Sequence, residues 1–222
     1  MKALDDTLTF SSPIVVTAAG KKQLIVWTEQ SVASLDPATG AVWWQQPLLT
    51  SSDYTVSTPV YYKGRLLIGG MMFELSSEKP EAKVLWPASK APARRIYSHT
   101  STALFRGDHI YSAKSTGELI CVDASTGKQI WESNKVTDLK GGAAIFLTPN
   151  GDSVLLYTNL GELIRAQLTP QGYKEISRAL VLAPTFPFAG RNVAWSAPAY
   201  ANRCIFARNG KELICASLAQ EP

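Results

Sequence analysis

Histidine, cysteine and charge are all scarce in this chain, and each shortage removes a class of chemistry. Of 222 residues, 2 are His and 3 are Cys. Cys121, Cys204 and Cys215 are odd in number and lack metal-ligand spacing. Each sits in an apolar, strand-like run (LICVD, RCIFA, LICAS), which predicts buried free thiols. The patterns H-E-x-x-H, G-x-S-x-G, C-x-x-C and the P-loop are absent, so no catalytic residue and no metal ligand is assigned. Charged residues make up 18%, below the ~25% of a typical globular chain. The net charge of +4 is mild and gives no reason to expect nucleic acid. The apolar runs Ile14 to Ala19 and Leu24 to Trp27 are too short to span a membrane, and Lys21-Lys22 separates them. Met1 to Phe10 carries Asp5 and Asp6 and lacks the apolar stretch of a signal peptide. The reading is cytoplasmic if Met1 is the native start, and periplasmic or secreted if an upstream signal has been removed. No stretch sustains helical periodicity.

What the chain does have is a repeat. Aliphatic and aromatic residues make up 45%, enough for a sizeable core. Leu119-Ile120-Cys121-Val122-Asp123-Ala124-Ser125-Thr126-Gly127-Lys128-Gln129-Ile130-Trp131 shares the pattern D-x-x-T-G-x-x-x-W with Asp36 to Trp44. The chemistry is that of a hairpin. Asp36 and Asp123 can accept backbone N–H groups two or three residues on. Gly40 and Gly127 supply the positive φ at the turn exit. The Trp then lies on the return strand. Degenerate copies occur at Leu75 to Trp86 and at Gln167 to Ile176, the latter without its Trp.

Each unit opens on a strand of small residues. Ser11-Ser12-Pro13, Ser57-Thr58-Pro59 and Ser196-Ala197-Pro198 are close copies, and Ser101-Thr102-Ala103 and Gly142-Ala143-Ala144 are weaker ones. A turn and a second strand follow, as at Pro149-Asn150-Gly151-Asp152, where Asn-Gly is a strong hairpin signal. Gly117-Glu118-Leu119, Gly161-Glu162-Leu163 and Lys211-Glu212-Leu213 open a third strand. The openers at 13, 59, 103, 144 and 198, and Trp44, Trp86 and Trp131, recur at matching steps. Four antiparallel strands in ~40–45 residues is the size of a β-propeller blade. A sandwich would not demand this repeated register. The prediction is an all-β, single β-propeller domain over 1–222, with units at about 11–46, 57–88, 100–133, 141–178 and 195–218. The last unit lacks a Trp strand, and the first opener lacks the one before it. An incomplete or open propeller is therefore expected, with a closed five-bladed ring as the alternative. Open blade edges would invite self-association.

S-x-P followed by G-E-L-x-x-x-D-x-x-T-G-K-x-x-W resembles the pyrroloquinoline-quinone-type propeller repeat with its tryptophan-docking motif, over nearly the whole chain. The resemblance implies that Trp44, Trp86 and Trp131 pack between adjacent blades. The family includes quinoprotein dehydrogenases, outer-membrane assembly lipoproteins and propellers of unknown role, so the repeat speaks for fold rather than activity. The dehydrogenases carry a vicinal Cys-Cys pair, absent here, and a Glu/Asn/Asp set that does not map onto this chain. No cofactor is expected, and pyrroloquinoline quinone with calcium enters only through the resemblance. The expected function is a non-catalytic scaffold for a protein partner or small ligand. The alternative is a portion of a quinone-dependent oxidoreductase.

The connections between units, 46–57, 87–100, 132–141 and 177–195, are long and share one face, where binding is expected. Two of them hold candidate ligand-binding residues. Arg94, Arg95, Tyr97 and His99 lie in one, and Arg191 lies in the other, just before Trp195. The arginines would hold an anionic ligand or peptide, with Tyr97 and Trp195 as stacking surfaces. The competing reading is a solvated basic loop and a Pro-rich connector whose aromatics pack under the propeller.

Overall fold

The computed structural model describes residues 9–48, 56–87 and 100–219. Arg94, Arg95, Tyr97 and His99 lie outside the described residues. Among those described, regular structure is entirely β, and no helix is long and apolar enough to cross a membrane.

Four antiparallel sheets follow the chain in order, each a meander of four strands. The first comprises β1 (Ile14–Ala18), β2 (Lys21–Trp27), β3 (Ser31–Leu35) and β4 (Val42–Pro47). The second comprises β5 (Val60–Tyr62), β6 (Arg65–Ile68), β7 (Met71–Leu75) and β8 (Ala82–Trp86). The third comprises β9 (Leu104–Arg106), β10 (His109–Ala113), β11 (Leu119–Asp123) and β12 (Gln129–Ser133). The fourth comprises β13 (Ile145–Asn150), β14 (Ser153–Thr158), β15 (Glu162–Thr169) and β16 (Gly172–Leu180). A two-stranded hairpin, β17 (Phe186–Phe188) and β18 (Arg191–Val193), comes next. The last sheet has three strands, β19 (Ala199–Ala201), β20 (Cys204–Arg208) and β21 (Leu213–Ser217).

The D-x-x-T-G turns close as their chemistry requires. The Asp123 carboxylate accepts the backbone N–H of Ser125 at 3.0 Å and of Thr126 at 2.8 Å, and both hydroxyls as well. Gly127 donates to the Asp123 carbonyl, and Gly40 to that of Asp36, both from φ +72. After each of these turns, and at its counterparts in the other two sheets, the ladder slips by one residue. The slips fall between Ser34 and Leu35, Met72 and Phe73, Cys121 and Val122, and Arg165 and Ala166. This repeated bulge turns the outer strand and re-aims its side chains.

The core is divided among the seams. One cluster joins the first and second sheets (Ile25, Trp44, Leu66, Phe73), and another the second and third (Leu67, Met72, Trp86, Ile120). A third joins the third and fourth sheets (Tyr111, Cys121, Ile145, Leu156), and a fourth joins the fourth and fifth (Tyr157, Leu163, Ile205, Ala207). Apolar burial therefore accrues seam by seam, as in other repeat stacks. Among the described residues no such cluster joins the fifth sheet to the first. The blades form an incomplete, open propeller.

Two expectations need correction. The segment 177–195 is not one long connector: β16 runs through Leu180, and β17 and β18 pair across Ala189-Gly190. Both turn residues take positive φ, +48 and +75, the conformation that matches strand twist in a two-residue hairpin. The cysteines are not all buried either: Cys121 is buried, Cys204 half-buried and Cys215 exposed. The reason is that Cys215 lies on β21, which among the described residues is the edge strand of its sheet.

Candidate functional site

Where successive inter-blade connections meet, the structure builds a cluster around Asn159. This residue sits in the β14–β15 turn and is fully buried. Its side-chain oxygen accepts from the Thr137 hydroxyl at 2.9 Å and from the Ala144 N–H at 3.2 Å. Its amide nitrogen donates to Asp138 at 3.3 Å, and its carbonyl accepts from Ala194 at 2.8 Å. A buried amide bonded through both its oxygen and its nitrogen fixes both connections relative to the fourth blade. Gly117 and Gly161, which open the G-E-L strands, let these connections pass close overhead. A β-carbon on Gly117 would stand 2.2 Å from the Asp138 carbonyl oxygen, and one on Gly161 1.7 Å from that of Leu182.

Asp138 in turn pairs with Arg191 through the guanidinium Nε. Arg191 also donates to the carbonyls of Phe188 at 3.2 Å and Gly141 at 3.3 Å. Trp195 donates its indole N–H to the Gly142 carbonyl at 2.7 Å. Phe188 meets Trp195 edge-on with ring centroids 4.7 Å apart, and Phe186 lies 5.5 Å away on a tilt. Gly142 leaves room for this arrangement, since a β-carbon there would be 2.5 Å from the Phe188 ring.

Thus Arg191 and Trp195 are brought together, and both are tied to the preceding connection. Around them Leu139, Phe186 and Phe188 are 51%, 55% and 39% exposed. Sequence reasoning missed Asn159, Phe186 and Phe188 as site residues; the Phe-Pro-Phe run beside Trp195 was the available signal. Exposed aromatics around a constrained Arg are what a protein-binding patch presents. Nothing in this cluster pairs a nucleophile with a base.

The tryptophans sit differently from one another. Trp86 donates to the Ala124 carbonyl of the next blade at 3.0 Å, and Trp131 to the Thr169 carbonyl of the next blade at 2.9 Å. Trp44 donates to Gln23 of its own blade at 3.0 Å, while its ring joins the seam with the second blade. Trp44 and Trp86 are buried and Trp131 is half-buried.

The resemblance raises pyrroloquinoline quinone with calcium, which needs a converging set of oxygen donors. Among the described residues no group of three or more His, Cys, Asp or Glu side chains converges as a metal would need. The one carboxylate of the cluster, Asp138, is engaged by Arg191 and Asn159. These residues do not fit the group, and no step is assigned to it.

Comparison with known proteins adds the family. The model described as outer membrane protein assembly factor BamB matches residues 29–169. BamB from Moraxella catarrhalis aligns with a TM-score of 0.61 at 16% identity, over 97% of this chain and 60% of that one. A computationally designed protein, Ika8, aligns with a TM-score of 0.51 at 10% identity, over 92% of this chain and 57% of that one. The chain thus spans about 60% of the length of the BamB structure it matches. At such identities the likeness to solved structures speaks for fold alone. No curated protein matches the sequence.

Proposed function

Because the chain belongs to the family of the outer membrane protein assembly factor BamB, we propose that it is a non-catalytic propeller scaffold that binds a protein partner in the assembly of outer-membrane proteins. The whole of 1–222 acts as one propeller domain in this reading. Trp44, Trp86 and Trp131 serve as docking residues between blades, and Asp36, Gly40, Asp123 and Gly127 shape the turns around them.

The observation that carries the reading is the exposed pair Phe186 and Phe188, held on Trp195 at the face of the inter-blade connections. Aromatic anchors on a rigid support lose little conformational freedom on binding and so favour affinity. Arg191, held by Asp138 and the Phe188 and Gly141 carbonyls, braces the hairpin that carries the two rings.

Site-specific photo-crosslinking in cells tests this. A photoreactive residue at Phe186 is expected to capture one defined envelope protein. The same residue at Asp152, on the opposite face, is expected not to. Equal capture from both positions, or none at Phe186, rejects the reading.

A further inference from the structure

Each blade carries a row of four paired residues running from its inner to its outer strand, on the side turned toward the next blade. In the first blade the row is Ile14–Ile25–Ser34–Trp44. In the second it is Val60–Leu67–Met72–Trp86, and in the third Leu104–Tyr111–Cys121–Trp131. The outermost residue lies beside the repeated bulge, and in all three it is Trp. In the fourth blade the same register gives Thr148–Leu155–Arg165–Ser177. Serine stands where the others have indole, and arginine stands next to it.

The space left is visible. A cleft of about 710 Å³ opens between the fourth and fifth blades, and all four residues of that row line it. On the other side are Tyr200, Asn202 and Arg203 of the fifth blade, with Leu163 and Leu218 as apolar wall. Among the described residues no carboxylate lines the cleft. Arg178 is already paired with Glu162 and Glu175. Arg165 and Arg203 have no ion-pair partner among the described residues; Arg165 makes one bond, to the Ser153 hydroxyl at 3.3 Å. The Tyr200 hydroxyl is shielded from solvent and has no hydrogen-bond partner among the described residues.

We infer that this cleft is a binding site for an aromatic ring carrying, or flanked by, negative charge. The ring takes the place of the missing indole, over Arg165 and beside Leu155. The charge pairs with Arg165 and Arg203. Guanidinium groups favour both components, since they lie against π faces and bind carboxylates through two N–H groups. The shape argument comes from the chain itself, because three seams of the same construction are filled by an aromatic side chain at this row position. The site is separate from the Phe186 patch and does not depend on the proposed function. Its ligand is either a free aromatic carboxylate or an aromatic residue between acidic ones on a peptide.

The experiment titrates the full chain with two probes, indole-3-acetate and acetyl-Asp-Trp-Asp-amide, and with the neutral indole-3-ethanol as control, read by ligand-detected NMR. Ser177→Trp places an indole at the row position that the ring would occupy. The expected result is saturable binding of at least one acidic probe, lost in Ser177→Trp. Arg203→Gln, in an exposed turn, should weaken it about tenfold, as loss of a charge pair does. Circular dichroism and thermal melting show that the variants are folded, and Ser177→Trp should melt about 2–4 °C higher, as a filled cavity does. Binding of the free acid marks a small-molecule site, and binding of the peptide alone marks a partner segment. Absence of binding by either acidic probe, or binding that survives Ser177→Trp, overturns the inference.

Discussion

The indole of Trp86 lies directly against Gly127 of the following blade: a β-carbon added to Gly127 would be 2.7 Å from the indole Cδ2. The same indole donates to the Ala124 carbonyl, three residues earlier in the same turn. The D-x-x-T-G turn of the third blade is therefore also the seat for Trp86 of the second. Gly127 answers to two demands at once, its φ of +72 and the space for the ring.

Gly127→Ala should accordingly cost more than backbone strain. Gly151 provides the control, with φ +58 and open space around its missing β-carbon. Urea denaturation should show about 1–2 kcal/mol lost for Gly151→Ala, the cost of left-handed backbone. Gly127→Ala should lose about 3–4 kcal/mol, since the ring must also move. Equal losses would mean that the indole does not rest on the turn.

Trp86→Ala and Trp131→Ala should differ. Trp86 is 6% exposed, and its truncation should cost about 3–5 kcal/mol by equilibrium unfolding. Trp131 is half-buried, resting on Tyr111 with ring centroids 6.0 Å apart, and should cost about 2 kcal/mol. The reverse order would contradict the seams as described.

Hydrogen bonds from the Ser125 and Thr126 hydroxyls, then from the two backbone N–H groups, hold the Asp123 carboxyl at about 2, below its ordinary 3.8. A depressed carboxyl contributes stability that is fully present above its unfolded value and lost as pH falls through the folded one. The stability gap between the protein and Asp123→Asn should therefore be constant above about pH 5 and close between about pH 4 and 2. Melting temperatures across that range measure it.

Thiol alkylation should separate the three cysteines. Burial pushes the Cys121 thiol up to about 11, so it should stay unmodified until the protein unfolds. Cys215 is exposed and should react first under native conditions, with half-buried Cys204 slower. Mass spectrometry of timed samples reads the order.

Much of the architecture was legible because it rests on local chemistry. Asp123 and Gly127 announce a turn, and the steps between Trp44, Trp86 and Trp131 announce a repeat. What escaped depends on partners distant in sequence. Asn159 looks like any turn residue, yet it binds four residues from two connections. The hairpin at 186–193 was hidden because Ala189 takes a positive φ that its side chain does not advertise. The exposure of Cys215 follows from its place on β21, the edge strand of its sheet among the described residues, which LICAS cannot reveal. Ser177 becomes informative only when the bulge sets its register with Arg165. Of the six candidate binding residues, Arg191 and Trp195 both contact Phe188, and the other four lie outside the described residues.

The central claim, that the Phe186 and Phe188 patch binds a protein partner, is tested most directly by affinity. Once crosslinking at Phe186 has identified the partner, calorimetry should compare the protein with Phe186→Ala/Phe188→Ala and with Asp152→Ala on the opposite face. The first variant should weaken binding by about tenfold or more, as the loss of aromatic anchors does. The second should leave binding unchanged. Unaltered affinity in the double variant, with its fold intact by circular dichroism, would contradict the account.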